Sequence, residues 1–455
     1  MKFLKTHFAN LIILLVFAAG IYIRASWYGD LRLSTANAET DSYINASHAS
    51  IFSWKIFAGQ RLFTTNLIYK LANDAGGCPI TSYGKPGIGE EVERRAQPCF
   101  NRIALLQNCL SIIGWCFLGW MLARRLEHPF VKIFAATVVM LFGFTPQVAE
   151  WDSVLSPESL SLSMFAVVLG LGLEVAFRAA SADIPFNSKA DKALLAALVI
   201  WFLLWVFVRD VHLYAIPVTV ALLAPLFLLK RFRAARPLVI MFAVLILFFI
   251  VGYASARDSL RATHYPLMNS LDAYIWPHPA RVEFFRRYGM PDKEAPSYFD
   301  SPNYQAWADK NAAKAYAVFL VTHPGFVAIT LWENMDMLTD DFAQPYFLTD
   351  EVKNRDSLLI IGEMVNPDSG VVYLLALALT ASLCFHAAAK RNKTLASWAW
   401  IALWLYGIAA ATLFISYFGD TAGIRRHIMP SAEMYRLCLW VFLTPFLDLS
   451  LDEKT

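Results

Sequence analysis

Four short stretches of this 455-residue chain gather side chains able to do chemistry. "ETDSYINASHAS" (39–50) carries Glu39 and Asp41. "AEWDSVLSPES" (149–159) carries Glu150, Asp152 and Glu158. "RDVH" (209–212) carries Arg209 and His212, and "GDTAGIRRHIMP" (419–430) carries Arg425, Arg426 and His427. A carboxylate can take a proton from a weak nucleophile, ligate a hard cation or cap a helix. Arginine and histidine can hold an anion, close a salt-bridged turn or touch lipid headgroups. Which of these applies depends on the elements that carry the residues.

Composition sets those elements. The chain is 57% hydrophobic, 15% aromatic and 16% charged, with a mean hydropathy of +0.46. A soluble domain of this length could not hide so much apolar surface, so the fold class predicted is an all-α polytopic membrane protein. A formal net charge of +3 does not suggest a nucleic-acid partner. No Gly-rich phosphate loop, zinc-type CxxC pair or low-complexity tract is present.

Ten apolar runs approach the roughly 20 residues that cross a bilayer. They lie at 8–24, 102–123, 130–148, 159–177, 192–208, 211–229, 236–254, 370–388, 395–418 and 431–448. The first reads as a retained helix, because Arg24, Trp27 and Tyr28 make a poor cleavage site. Basic segments at "ARRLEHP" (123–129), "KRFRAAR" (230–236) and "AKRNK" (389–393) then share one side with Lys2, Lys5 and the C-terminus. The positive-inside rule makes that side cytoplasmic, in a cytoplasmic (inner) membrane. The chain divides into an N-terminal seven-span module (1–254), an extracytoplasmic helical block (255–369) and a C-terminal three-span module (370–455).

The four reactive stretches all fall outside. Continued as one helix from residue 40, the first puts Asp41, Asn45, His48, Phe52 and Lys55 on one face, an amphipathic helix lying in the interface. A second such helix follows at 61–74. Within the outer block, "PARVEFFRRYGM", "PNYQAWADKNAAKAYAVFLVTHP" and "GFVAITLWENMDML" read as helices. The structural alternatives are specific: Asp41 as a helix cap or solvated face, Arg209–Asp210 as an ion-paired turn, Glu158 as the cap after Pro157. Glu150, Asp152 and Glu158, three acids within nine residues, could orient an acceptor or ligate a divalent metal, which this reading does not require. Cys78 and Cys99 share the first outer loop, and an oxidising compartment would favour a bridge between them.

Three motifs in this order and sidedness resemble the C-type glycosyltransferase superfamily, polytopic enzymes that use polyprenyl-phosphate sugars. They are the acid after the first span in "ETDSYINAS" with "GQRLFTTNLIYKL" following it, the helix entry "AEWDSVLSPESLSLSM", and the late loop "GDTAGIRRHIMPSAEMYRL". Leu62 stands where the family has proline, and the block at 255–369 has no counterpart. The resemblance implies an inverting transfer of a sugar from a polyprenyl-phosphate donor to a hydroxyl on a glycan, lipid or protein. Asp41 would then be the general base, with Glu39 its rival, and Arg209, His212, Arg425, Arg426 and His427 would face the donor phosphate. A transporter or flippase of lipid-linked or small substrates is the competing class. It would need charge near the bilayer midplane, whereas these charges gather at one edge.

Overall fold

The computed structural model describes residues 2–37, 39–72, 97–259, 261, 265–292, 301–342 and 352–452. Among them the regular elements are helical, and an isolated parallel bridge joins Thr35 to Val154. The protein is an all-α polytopic membrane protein. Among the described residues eight helices are long and apolar enough to cross a bilayer, or up to ten if each of two bent pairs counts as one span.

The ten apolar runs map in order onto helical segments, called here the first to tenth helices. They are Lys2–Trp27, Asn101–Ala123, Pro129–Phe144, Pro157–Ser181, Lys189–Val206, Asp210–Leu228, Arg236–Asp258, Val371–Lys390, Lys393–Gly419 and Ile424–Asp452. Proline opens the third and fourth, where its missing N–H costs nothing. Ser188 and Asn392 cap the fifth and ninth by accepting from backbone N–H groups. Pro146 ends the third helix, and the chain bends by 51° into Pro146–Ser153. The fifth helix is not among the eight, since Lys189, Asp191 and Lys192 crowd its first turn. The second bent pair, Pro302–Thr322 with Pro324–Glu333, folds back by 84° inside the block assigned to the outer side.

The fourth helix is the hub. In its most apolar stretch 83% of residues are buried, against 22% for the first and eighth helices, which therefore present most of their apolar surface to lipid. It packs on the second, fifth and ninth helices. A Cβ on Gly114 would lie 2.4 Å from the Ser163 carbonyl oxygen, so glycine is what lets the second and fourth helices approach.

One end of the bundle is closed by ion pairs. Glu174 binds Arg125 and Arg178, and Arg178 also holds Asp191 at 2.7 Å. Asp448 of the tenth helix accepts from the backbone N–H groups of Glu127 and His128 at 2.8 and 2.7 Å. Glu158 lies sixteen positions before Glu174, about 24 Å along the same helix at 1.5 Å per residue. The candidate residues thus sit at the other end.

The segment after the first helix departs from the sequence expectation. Its helix covers only Thr40–Ser47, and a new one, Trp54–Ala58, starts at a Ser53 cap that accepts from Lys55 N at 3.2 Å. The single face from Asp41 to Lys55 therefore does not form: Phe52 is wholly exposed in the break, and Trp54 stacks on Phe57 at 5.4 Å. The helix expected at 61–74 is present as Phe63–Ala72.

The block at 255–369 docks through arginine. Arg436 of the tenth helix donates to the carbonyls of Pro367 (3.1 Å), Thr339 (2.9 Å) and Asp340 (2.7 Å), and pairs with Glu433 at 2.5 Å. Trp151 Nε1 donates to the Phe342 carbonyl at 3.1 Å.

Candidate functional site

Backbone stitches bring the reactive stretches together. Thr35 N donates to the Ser153 carbonyl and Leu155 N to the Thr35 carbonyl, each at 2.8 Å. Thr40 Oγ1 adds a bond to the Leu155 carbonyl at 2.9 Å. These bonds fix the turn before helix Thr40–Ser47, and hence Glu39, against the entry to the fourth helix. On the other flank, Thr64 and Thr65 donate from their hydroxyls to the carbonyls of Leu204 (2.6 Å) and Val208 (3.1 Å). That places Arg61, whose carbonyl is held by Asn66 Nδ2 at 2.8 Å, beside the turn carrying Arg209. The first turn of the tenth helix then delivers Arg426.

The result is a knot of two carboxylates and three guanidiniums from five separated segments. Glu39 pairs with Arg426 and with Arg61, the latter at 3.2 Å, and accepts from the Tyr43 hydroxyl at 3.2 Å. Arg61 also lies over the Tyr43 ring, 4.2 Å from its centre, and donates from Nε to Ser42 Oγ at 2.8 Å. Glu158 is fully buried, with Oε1 3.2 Å from Arg209 Nη1 and 3.5 Å from Arg426 Nε. Among the described residues neither Glu158 oxygen accepts a hydrogen bond, and Arg209 Nη1 donates none.

Electrostatics follow from this packing. Burial opposes the charged form of Glu39, but the guanidiniums of Arg426 and Arg61 outweigh it and hold its carboxyl at about 2. Burial pushes the Tyr43 phenol up to about 12, so it stays a hydrogen-bond donor. Beside the knot, His427 Nδ1 lies 4.0 Å from Asp420. Asp420 in turn accepts from Asn269 Nδ2 and from the Ala422 N–H, each at 2.9 Å. Burial raises the proton affinity of Asp420.

The remaining sequence candidates have other surroundings. Asp41 is exposed in the first turn of helix Thr40–Ser47 and makes no ion pair among the described residues. Arg425 points away from the knot, to Asp340 and Asp341. His212 is buried beneath it, stacked on Trp205 at 4.4 Å and bonded to Ser161 Oγ at 3.0 Å. The three acids of 149–159 go to three different destinations. Glu150 is held by Arg355 at 2.6 and 3.0 Å, and Asp152 by Arg24 at 2.7 Å and Ser159 at 2.5 Å, while Glu158 joins the knot. Among the described residues no three His, Cys, Asp or Glu side chains are grouped as metal ligands. Cys99 is disulfide-bonded, and Cys78 lies outside the described residues.

Sequence reasoning singled out neither Arg61 nor Arg24 nor Arg355. Arg24 fixes the site's framework: its guanidinium binds Asn108 at 2.7 Å, the Ala149 carbonyl at 2.6 Å and Asp152. A lone arginine at the end of an otherwise apolar first helix was the available signal. An apolar pocket of about 280 Å³ lies among the fourth, fifth, sixth and ninth helices, lined by Gly172, Phe202, Thr219 and Trp404. Its lining is mostly apolar, with Arg231 at its edge.

No protein-family model and no curated protein matches the chain. Two solved structures resemble it along its whole length. One is the archaeal oligosaccharyltransferase AglB from Archaeoglobus fulgidus with an inhibitory peptide and a dolichol-phosphate, at 12% identity and a TM-score of 0.41. The match covers 99% of this chain and 52% of that one. The other is the Archaeoglobus fulgidus oligosaccharyltransferase with Zn and sulfate, at 13% identity and a TM-score of 0.43, covering 96% and 51%. The chain spans about half the length of these proteins. Likeness at this level says nothing about its reaction.

Proposed function

We propose that the protein is a membrane glycosyltransferase that moves a sugar from a polyprenyl-phosphate donor to an acceptor hydroxyl, with inversion, on the extracytoplasmic side. The observation that carries this reading is the convergence of Arg61, Arg209 and Arg426 on the carboxylates of Glu39 and Glu158 at one end of a membrane bundle. Three guanidiniums at a membrane edge suit a lipid phosphate, which gains negative charge as its bond to the sugar breaks. Glu158 and most of Arg209 and Arg426 are buried, which strengthens the attraction.

The acceptor oxygen attacks the anomeric carbon from the face opposite the phosphate. Its proton passes to a carboxylate, and the C–O bond electrons stay with the departing phosphate. Of the two rival acids, Asp41 suits the base. Glu39, held near 2 by its arginines, is a weak proton acceptor and instead positions Arg61 and Arg426. Asp41 is unpaired and open to an incoming hydroxyl. His427 and Asp420 lie beside the knot. The acceptor is a glycan, lipid or protein hydroxyl, and the reaction as written requires no metal.

The test is to supply the purified chain, in vesicles, with a radiolabelled polyprenyl-phosphate sugar and a mixture of envelope acceptors. Labelled acceptor and free polyprenyl phosphate are the expected products. Passage of the intact lipid between leaflets with no sugar transferred would replace this reading with that of a flippase.

A further inference from the structure

Glu158 is an unusual buried acid for this protein. Glu150, Asp152 and Glu433 are also fully buried, and each accepts hydrogen bonds from a guanidinium. Glu158 accepts none among the described residues, although Arg209 and Arg426 stand 3.2 and 3.5 Å from one of its oxygens. Burying a charge without hydrogen bonds is costly, and a neutral side chain of the same shape would be cheaper for stability. Among the described residues Arg209 Nη1 donates no hydrogen bond either, although it stands 3.2 Å from Glu158 Oε1.

We infer that Glu158 is a resident counter-anion that sets how much negative charge the site will hold, so that the donor phosphate is kept and the product phosphate is expelled. This rests on the phosphate-binding reading above. The five side chains of the knot, three guanidiniums and two carboxylates, leave one net positive charge. A polyprenyl-phosphate sugar is a phosphodiester with one negative charge, opposite in sign to that of the knot. Transfer breaks the bond between the anomeric carbon and the phosphate oxygen. The electron pair stays on that oxygen, the acceptor proton goes to the base, and the phosphate becomes a monoester carrying about −1.5 to −2 at pH 7. That extra charge develops beside Glu158. The carboxylate repels it while the arginines still favour the transition state, and the lipid phosphate leaves. Without Glu158 the knot would carry one more net positive charge and would hold its product more tightly.

The experiment uses the full chain in lipid nanodiscs at pH 7.5 with two probes, farnesyl phosphate as the monoester and methyl farnesyl phosphate as the diester. Binding is followed by calorimetry for the wild type and Glu158→Gln. The expected result is a preference for the diester in the wild type. In Glu158→Gln the monoester should gain at least about tenfold over the diester, the scale of one like-charge contact in a partly buried site. A purely structural Glu158 predicts lower thermal stability and equal losses for both probes, which overturns the inference. If the wild type binds both probes and the ratio does not move, the inference falls and the phosphate reading stands. If the wild type binds neither, both fall. Should Glu158→Gln not fold, Glu158→Asp, which draws the charge back by one methylene, must shift the ratio the same way by less. No shift there overturns the inference too.

Discussion

Arg426 Nε lies 3.5 Å from Oε1 of Glu158, while another nitrogen of the same guanidinium binds Glu39. One cation on the last helix therefore holds two acids from distant parts of the chain, and the consequences can be measured.

Removing Arg426 should cost far more than removing Arg425. Arg426→Ala loses charge-assisted contacts to phosphate worth about 1.5–3 kcal/mol each. It also frees the Glu39 carboxylate. Arg425 pairs with Asp340 and Asp341 on a half-exposed surface, where ion pairs contribute about 0–1 kcal/mol. Donor affinity measured for the two alanine variants should separate them. Equal losses would put Arg425 back beside the phosphate.

Asp41→Asn keeps shape and hydrogen-bonding capacity but cannot take up a proton. Sugar transfer should fall by roughly 10²–10⁴-fold with donor binding intact. If Asp41 only caps its helix, Asn serves nearly as well and rates stay close to normal. Glu39→Gln should show the opposite split, weakening donor binding by releasing Arg61 and Arg426. A selective collapse of turnover in Glu39→Gln would move the base by two residues.

Acid should loosen the knot within a defined window. The Glu39 carboxyl titrates at about 2 in the folded protein, against an ordinary 4.5. Its stabilising contribution is thus complete above pH 4.5 and is lost as pH falls from there towards 2. Thermal unfolding in detergent across that range should decline less steeply for Glu39→Gln than for the wild type. Parallel curves would mean the pairs with Arg61 and Arg426 contribute nothing.

Orientation can be read by labelling. With the basic loops cytoplasmic, single cysteines at the exposed positions Glu127, Arg233 and Asn392 should resist an impermeant thiol reagent applied from outside and react once the membrane is opened. Reaction of any of them in intact cells would invert the assignment.

The bridge expected between Cys78 and Cys99 has a direct assay. Peptide mapping without reductant should recover the two linked peptides. Alkylation of Cys78 under those conditions would exclude the pairing.

Much of the fold was legible because its signals are local. Apolar runs close to bilayer-crossing length and proline at helix starts each occupy one short window of sequence. That is why ten runs mapped onto ten helical segments. The helix from residue 40 was overextended for the same reason: continuing its periodicity ignored the Ser53 cap, which restarts the chain in a new direction. The site was legible as a set of candidates but not as a contact list. Glu150, Asp152 and Glu158 look alike in sequence, yet their partners Arg355, Arg24, Arg209 and Arg426 come from remote segments, and no spacing rule announces that. Arg61 sat inside a motif read only for its apolar pattern. Arg425 and Arg426 are neighbours on a helix, so their side chains diverge by about 100°, and only one can face the fourth helix.

The order in which this chain is made has a bearing on the knot. Glu39, Arg61, Glu158 and Arg209 all emerge with the first five helices and the turn after them, while Arg426 opens the tenth. During synthesis the early acids have Arg61 and Arg209 as company but lack the guanidinium that joins them. Within this chain the cluster is thus completed only when the tenth helix has been made and inserted, and until then Glu39 and Glu158 share no common guanidinium.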